Sequence, residues 1–298
     1  LHMMATPGDY SDITGYESGT KLMKFDAAWT RGFGGQGETA GFADTGMDLG
    51  DAAKIHPDFT DRIPRGEFFG HFSKSWEDPM GHGTHVAGSV AADGFASGGT
   101  IKGGAYLAKI APQSMWSPML GGLSVPSKLK DMFQKSYAAG ARIHTNSWGS
   151  NSVGAYSSLS QQVDEFMYSN PDFLILFAAG NNGEDADKDG RIDSGSILAP
   201  ATAKNVLTVG ASKNLIANGG IQAKLIELKI GKDKWGTEPL ASSRLSENER
   251  GLAAFSSRGP TTDGRLKPEI VAPGTNILSS RSGHPKAEVL WGAYNDRY

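Results

Sequence analysis

Cysteine is absent from the 298 residues. That excludes disulfides, thiol nucleophiles and cysteine-bound metals, and leaves the cellular compartment open. An excess of one charge sign is missing too. Lys and Arg number 29 against 32 Asp and Glu, a formal net charge of -3, and there is no basic block. Nucleic acid and anionic membrane surfaces are therefore not expected as partners. No apolar run is long enough to span a bilayer. Internal repeats and low-complexity tracts are also lacking. Glycine is abundant instead, with 40 residues, which implies many tight turns and close backbone approaches. With 38% hydrophobic and 20% charged residues, the chain has the make-up of an ordinary globular protein with a well-buried core. Leu1-His2-Met3-Met4 reads as a cloning scar, residues 1–20 as a lead-in, and 21–298 as one domain.

Along the chain, short apolar runs alternate with amphipathic segments. Residues 38–46, 141–149, 173–180 and 205–212 read as strands. The run "FLILFAAG" is continuously apolar, as in a sheet covered on both faces. Residues 82–92, 128–140 and 157–170 read as helices, the second ending in a Gly C-cap and the third stopped by Asn170-Pro171. This alternation predicts an α/β fold, a mainly parallel sheet with helices on both faces. Chemistry in such folds gathers at the carboxyl ends of the strands. Two segments break the rhythm. One is the acidic stretch 183–195. The other is 213–252, which reads as a surface hairpin.

Several motifs carry chemistry. "GFADTGMD" places Asp44 just past a strand. Asp-Thr-Gly also marks aspartic proteases, but those need two facing carboxylates, and here there is one. "GHGTHVAG" places His82 and His85 at a helix start. Their i,i+3 spacing without an intervening Glu does not fit a zinc peptidase helix. "GFGGQG" at 32–37 precedes a strand rather than following one, so it reads as a loop and not as a dinucleotide site. "FAAGNNG" ends an apolar strand with small residues and Asn181, suited to a pocket wall and an amide donor. "DADKDGRID" sets Asp185, Asp187 and Asp189 at alternate positions before Gly190, with Asp193 beyond. That spacing matches a calcium loop, with the Arg191 carbonyl as a further ligand. Ser196 stands where a bidentate Glu would complete it, so a merely acidic surface loop is the other reading.

Taken together, Asp44 in "ADTGMD", His82 in "GHGTHVAG", Asn181 in "AAGNNG" and the closing "FSSRGP…KPEIVAPG" resemble the subtilisin-like serine proteases, or subtilases. The resemblance covers roughly residues 30–290. Within it, "GARIHTNSWG" and "FSSRGPTTDGRLKP" look most like the oxidatively stable alkaline proteases. It implies a three-layer subtilisin-like fold and a serine endopeptidase acting on extended polypeptides. It implies that Asp44 orients and stabilises His82, which acts as general base and then general acid. It implies that Asn181 donates to the developing oxyanion. Ser147, Trp148 and Gly149, with Ala178, Ala179 and Gly180, would bind the substrate backbone and form its first specificity pocket. Their small apolar character points to sizeable apolar or aromatic side chains. His85 is expected to be structural. Calcium is the expected cofactor, and secretion the expected fate.

The family nucleophile lies in Gly-Thr-Ser-Met-Ala-[Thr/Ser]-Pro. Gly274-Thr275-Asn276 continues into Ile277-Leu278-Ser279 and fits the preceding family motif, Ala-Pro-Gly-x-x-Ile. Asn276 is thus not a replaced nucleophile. The expected nucleophile motif lies beyond Tyr298, so the fold is expected to be incomplete at its C-terminus. Two expectations follow. The Ser resides on a second, C-terminal fragment of the same protease, with Tyr298 as an aromatic residue in a polar loop open to self-cleavage. Alternatively, the chain is an inactive truncated form or a peptide- or calcium-binding scaffold.

Overall fold

The computed structural model describes residues 14–287 and 295–298. Nine strands occur among them: β1 (Thr39–Asp44), β2 (Glu67–Phe68), β3 (Lys109–Ser114), β4 (Trp116–Ser117), β5 (Gly122–Leu123), β6 (Ile143–Asn146), β7 (Leu174–Ala178), β8 (Leu207–Ser212) and β9 (Ile270–Pro273). Seven form one sheet in the order β2-β3-β1-β6-β7-β8-β9. Every pairing in it is parallel, so all carboxyl ends share one edge. β4 and β5 make a separate antiparallel pair. The helices are α1 (Phe25–Thr30), α2 (His82–Ala91), α3 (Leu129–Ala138), α4 (Ser158–Ser169) and α5 (Gly231–Trp235).

Alternation along β1 sends neighbouring side chains to opposite faces. Phe42 joins Ile110 of β3 against Ala87 and Ala91 of α2. Ala43 joins the other core, where Met132 and Phe133 of α3 and Val163 and Phe166 of α4 cover Ile175 and Phe177 of β7. The fold is therefore three-layered, as expected. Small residues on α2 let it lie close to its neighbours: a Cβ on Gly88 would come 2.7 Å from Ser280 N. α4 begins at Ser157, whose hydroxyl caps Ser160 N–H.

The chain runs from β1 to β3 on one side and then crosses to β6 on the other. This reversal opens a crevice at the carboxyl edge beside β1. In register, Ala43 faces Asn146, and Asn146 faces Phe177. Asp44 and Ala178, the last residues of β1 and β7, and Ser147, the residue just past β6, thus stand at one level. β1 and β7 stand about 10 Å apart at strand spacing.

Two expectations are corrected. Segment 213–252 is not a surface hairpin. It holds a 3₁₀ turn at Leu225–Glu227 and helix α5, and it buries Leu225, Trp235 and Leu245 against Ile192 and Phe255. Burial of those apolar residues overrides their strand-like alternation. Tyr298 is not displayed in a polar loop. It is 2% exposed, its hydroxyl donates to Asp58 Oδ2 at 2.6 Å, and its ring meets His56 edge-on.

Candidate active site

Asp44 is the last residue of β1 and is fully buried. Its Oδ1 lies 2.5 Å from His82 Nδ1 and accepts the Thr45 backbone N–H at 2.7 Å. This contact fixes the imidazole with its proton on Nδ1 and Nε2 turned to the other side of the ring. Burial pushes the His82 pKa down, but the Asp44 charge and hydrogen bond outweigh it, and the net shift is upward.

His82 opens α2, and the way that helix starts explains the pairing. Its N-cap is Gly81, left-handed at φ 90° and without a capping side chain. The orphan N–H groups of the first turn are taken up by residues from outside the helix. Thr45 Oγ1 accepts from Gly83 N at 2.8 Å. Asp78 Oδ2 accepts from Thr84 N and Thr84 Oγ1, both at 2.7 Å. Asp78 Oδ1 accepts from Gly81 N and from Thr45 Oγ1, also at 2.7 Å. Asp78 is completely buried. Burial raises its pKa, and the bonds from Thr84, Thr45 and Gly81 only partly offset this. Close approach does the rest. A Cβ on Gly83 would collide with the Gly46 carbonyl. Sequence reasoning did not single out Asp78. Its position four residues before His82 was the available signal.

His85 lies one turn on along α2. Its Nε2 donates to the Ile277 carbonyl at 3.1 Å. Burial pushes its pKa down to about 4, which keeps it neutral and suits the structural part expected of it.

The expected substrate walls sit at the ends of β6 and β7. Ser147 is half-buried and Gly149 exposed. The Trp148 indole turns into the core, 4.9 Å from the Phe177 ring, so only its backbone is placed to meet a ligand. Beneath this segment runs a buried polar chain. Asn146 Nδ2 donates to His144 Nδ1 and to Leu176 O, each at 3.1 Å. His144 Nε2 donates to Gln113 Oε1 at 3.1 Å, and Gln113 Nε2 donates to Met132 O at 2.8 Å. Burial holds the His144 pKa down at about 3, so this chain of bonds stays neutral. Across the gap, Ala179 is buried and Ala178 and Gly180 are half-buried. Sequence reasoning missed Leu198, which lies between the two walls. A Cβ on Gly149 would sit 3.0 Å from Leu198 Cβ, and one on Gly180 2.8 Å from Leu198 Cγ. Asn181 follows, exposed, with its neighbours tied down by Ser257.

A sequence model of the subtilase family matches residues 35–296. The chain belongs to the subtilase family. This subtilase is 33% identical over 308 residues to the serine protease/ABC transporter B family protein tagD of Dictyostelium discoideum, covering 83% of the chain and 16% of that protein. It is 27% identical over 264 residues to the serine protease AprX of Bacillus subtilis, covering 83% of the chain and 48% of the relative. It spans less than half of either relative. Among solved structures, it resembles the CspB protease of Clostridium perfringens at TM-score 0.60 and 16% identity, over 90% of this chain and 82% of that one. It resembles the subtilisin-like protease Apa1 of Pseudoalteromonas sp. AS-11 at TM-score 0.53 and 20% identity, over 94% and 48%. These likenesses show the fold: the mainly parallel sheet of this subtilase is a subtilisin-like one.

Farther along the loop after β7, Asp185, Asp187 and Asp189 bring carboxylate oxygens within 4.8 Å of one another. Asp185 is buried and accepts from Asp189 N and Gly190 N. Gly190 has φ 82°, as the sharp bend of a calcium loop requires. Arg191 N–H donates to Asp189 Oδ1. Asp193 stands apart from the three: its Oδ2 accepts the Ala186 N–H at 2.8 Å. Hard carboxylate oxygens in this array fit calcium.

Proposed function

We propose that this subtilase works as a serine endopeptidase on extended polypeptides, with Asp44 and His82 as two members of an Asp-His-Ser triad. The observation that carries this reading is the short bond from His82 Nδ1 to buried Asp44 at the carboxyl edge of a subtilisin-like sheet. Asp44 holds the tautomer, and His82 Nε2 takes the proton of the nucleophile and later passes it to the leaving amine. Asn181 donates its side-chain amide to the oxyanion. In subtilisin the loss of such a donor costs about 10²–10³ in turnover. The 298 residues contain no Gly-Thr-Ser-Met-Ala motif, and we place the nucleophile on sequence outside them, on a C-terminal fragment or continuation of the same protease. The substrate backbone lies along 147–149 and 178–180. Leu198 narrows the space between them, so, against the expectation drawn from the small walls alone, the first pocket favours small or medium apolar side chains rather than large aromatic ones. Calcium on Asp185, Asp187 and Asp189, with the Arg191 carbonyl, braces the loop beyond Asn181 and takes no part in bond cleavage. A calcium requirement also favours a working place outside the cell, where that ion is plentiful.

The test is to supply the chain with the segment bearing Gly-Thr-Ser and to label it with a serine-directed fluorophosphonate. Labelling and peptide cleavage are expected to appear together and to collapse in His82→Ala and Asp44→Asn. Cleavage that survives His82→Ala would sink the triad assignment.

A further inference from the structure

The tandem Ser256-Ser257 of "FSSRGP" has no part in the triad, yet both residues are buried. Their hydroxyls serve different strands. Ser256 Oγ accepts the Ala211 N–H of β8 at 2.9 Å. Ser257 reaches the arm that follows β7. Its backbone N–H donates to Gly180 O at 3.0 Å, and its Oγ accepts the Asn182 N–H at 3.0 Å. Gly180 O and Asn182 N belong to the peptide units on either side of Asn181. One residue therefore grips both flanks of the residue between them.

The geometry leaves the arm little freedom to be held in another way. Gly180 has φ 112°, and a Cβ there would come 2.8 Å from Ser257 Oγ. The next residue, Gly183, donates its N–H to Phe255 O at 2.9 Å, so residues 180–183 are laced to 255–257 along their length. Exposed Asn181 stands at the head of this lacing. A donor aimed at a developing charge works by being fixed before the reaction, and its value falls when its backbone can drift.

We propose that Ser257 is a positioning residue for oxyanion stabilisation, acting through Asn181 by pinning Gly180 O and Asn182 N–H. This rests on the oxyanion part assigned to Asn181 above. Ser257 touches no reacting atom. Its Oγ sets where the Asn181 amide points, so its loss is felt in turnover and not in substrate affinity.

The experiment is a mutant cycle in the protease that carries its nucleophile, read on a peptide substrate. Ser257→Ala keeps the backbone bond to Gly180 and removes only Oγ. Asn181→Ala is expected to lower kcat by about 10²–10³. Ser257→Ala is expected to lower kcat by about ten- to a hundredfold, as for a small misplacement of a catalytic group, with KM unchanged. In the Asn181→Ala background, Ser257→Ala is expected to cost nothing further. Ser256→Ala is the matched control: it removes an equally buried hydroxyl and is expected to leave kcat alone. Ser257→Thr, which restores an acceptor, is expected to recover kcat and covers the case in which the alanine variant folds poorly. An equal kcat loss from Ser257→Ala in both backgrounds, or a change in KM alone, overturns the proposal. If Asn181→Ala leaves kcat intact, the oxyanion assignment itself fails, and the part given to Ser257 falls with it.

Discussion

Replacing Gly83 by Ala sets helix propensity against fit. Propensity alone favours Ala over Gly by about 1 kcal/mol within a helix. The added Cβ, however, would overlap the Gly46 carbonyl and lie 3.0 Å from Gly46 N. Relief takes a displacement on the order of 1 Å to restore ordinary contact distance. Gly46 cannot give way, because it sits at φ 125° with the Glu77 carbonyl against it. The start of α2 must move instead and carry His82 from its 2.5 Å contact with Asp44. Overpacking costs about 1–3 kcal/mol, so after the propensity gain the net loss of stability is about 0–2 kcal/mol. Function suffers more, since a 1 Å misplacement costs about 10²-fold in rate. Two assays read this. In an NMR titration of the chain itself, the His82 pKa is expected to fall back towards its ordinary 6.5. In the protease with its nucleophile, kcat/KM is expected to drop about a hundredfold. A Gly83→Ala protein with unchanged His82 titration and full turnover would refute the reasoning.

Other expectations follow from the same contacts. The folded pKa of His82 is raised, so its pairing with Asp44 stabilises fully below 6.5 and is lost as pH rises through the folded value. In the proposed triad His82 must be neutral to act as base, which gives the opposite slope: the acid limb of kcat/KM is expected above 6.5, and Asp44→Asn is expected to move it down. His85 and His144 have pKa values lowered to about 4 and about 3. The unfolded chain takes up their protons first, so denaturant melts should lose on the order of a few kcal/mol as pH falls from 6.5 towards 4. His144→Gln should flatten part of that loss. Leu198→Ala should raise kcat/KM for a P1 Phe peptide relative to P1 Ala by about tenfold or more; an unchanged ratio would remove Leu198 from the pocket. Saturating calcium at a hundred times its Kd adds about 2.7 kcal/mol, or roughly 5–10 °C in Tm. Chelation should reverse this, and Asp187→Asn with Asp189→Asn should abolish it.

The parts of the molecule that were legible in sequence were those whose physics is local. β7 shows as an unbroken apolar run, α4 through its Asn170-Pro171 stop, and α2 through small residues after Gly-His-Gly. β3 was missed because "KIAPQS" contains Pro112 and Gln113, which argue against an interior strand. Gln113 is tolerated there because its amide finds the Met132 carbonyl inside the core. β9 hides in a stretch dominated by Pro and Gly. Asp44 and His82 could be picked out because their motifs are short and distinctive. Asp78 and Leu198 could not. The first matters through Thr45, Gly81 and Thr84 together, the second through its place between Gly149 and Gly180, and both arrangements exist only after folding.

The acidic loop and the segment 213–252 also depend on each other. Trp235 Nε1 donates to Gly183 O at 3.0 Å, Asp185 N–H donates to Lys234 O at 2.9 Å, and Lys234 pairs with Glu184. A Cβ on Gly190 would press on the Glu238 carbonyl. Each segment is thus the other's floor. A lineage that dropped 213–252 alone would strip the cover from Ile192 and the partners from the backbone at 183–185. One that dropped the acidic loop alone would leave a buried tryptophan N–H with nothing to meet. The two segments form one packing unit, and deleting either is expected to expose what it covers on the other.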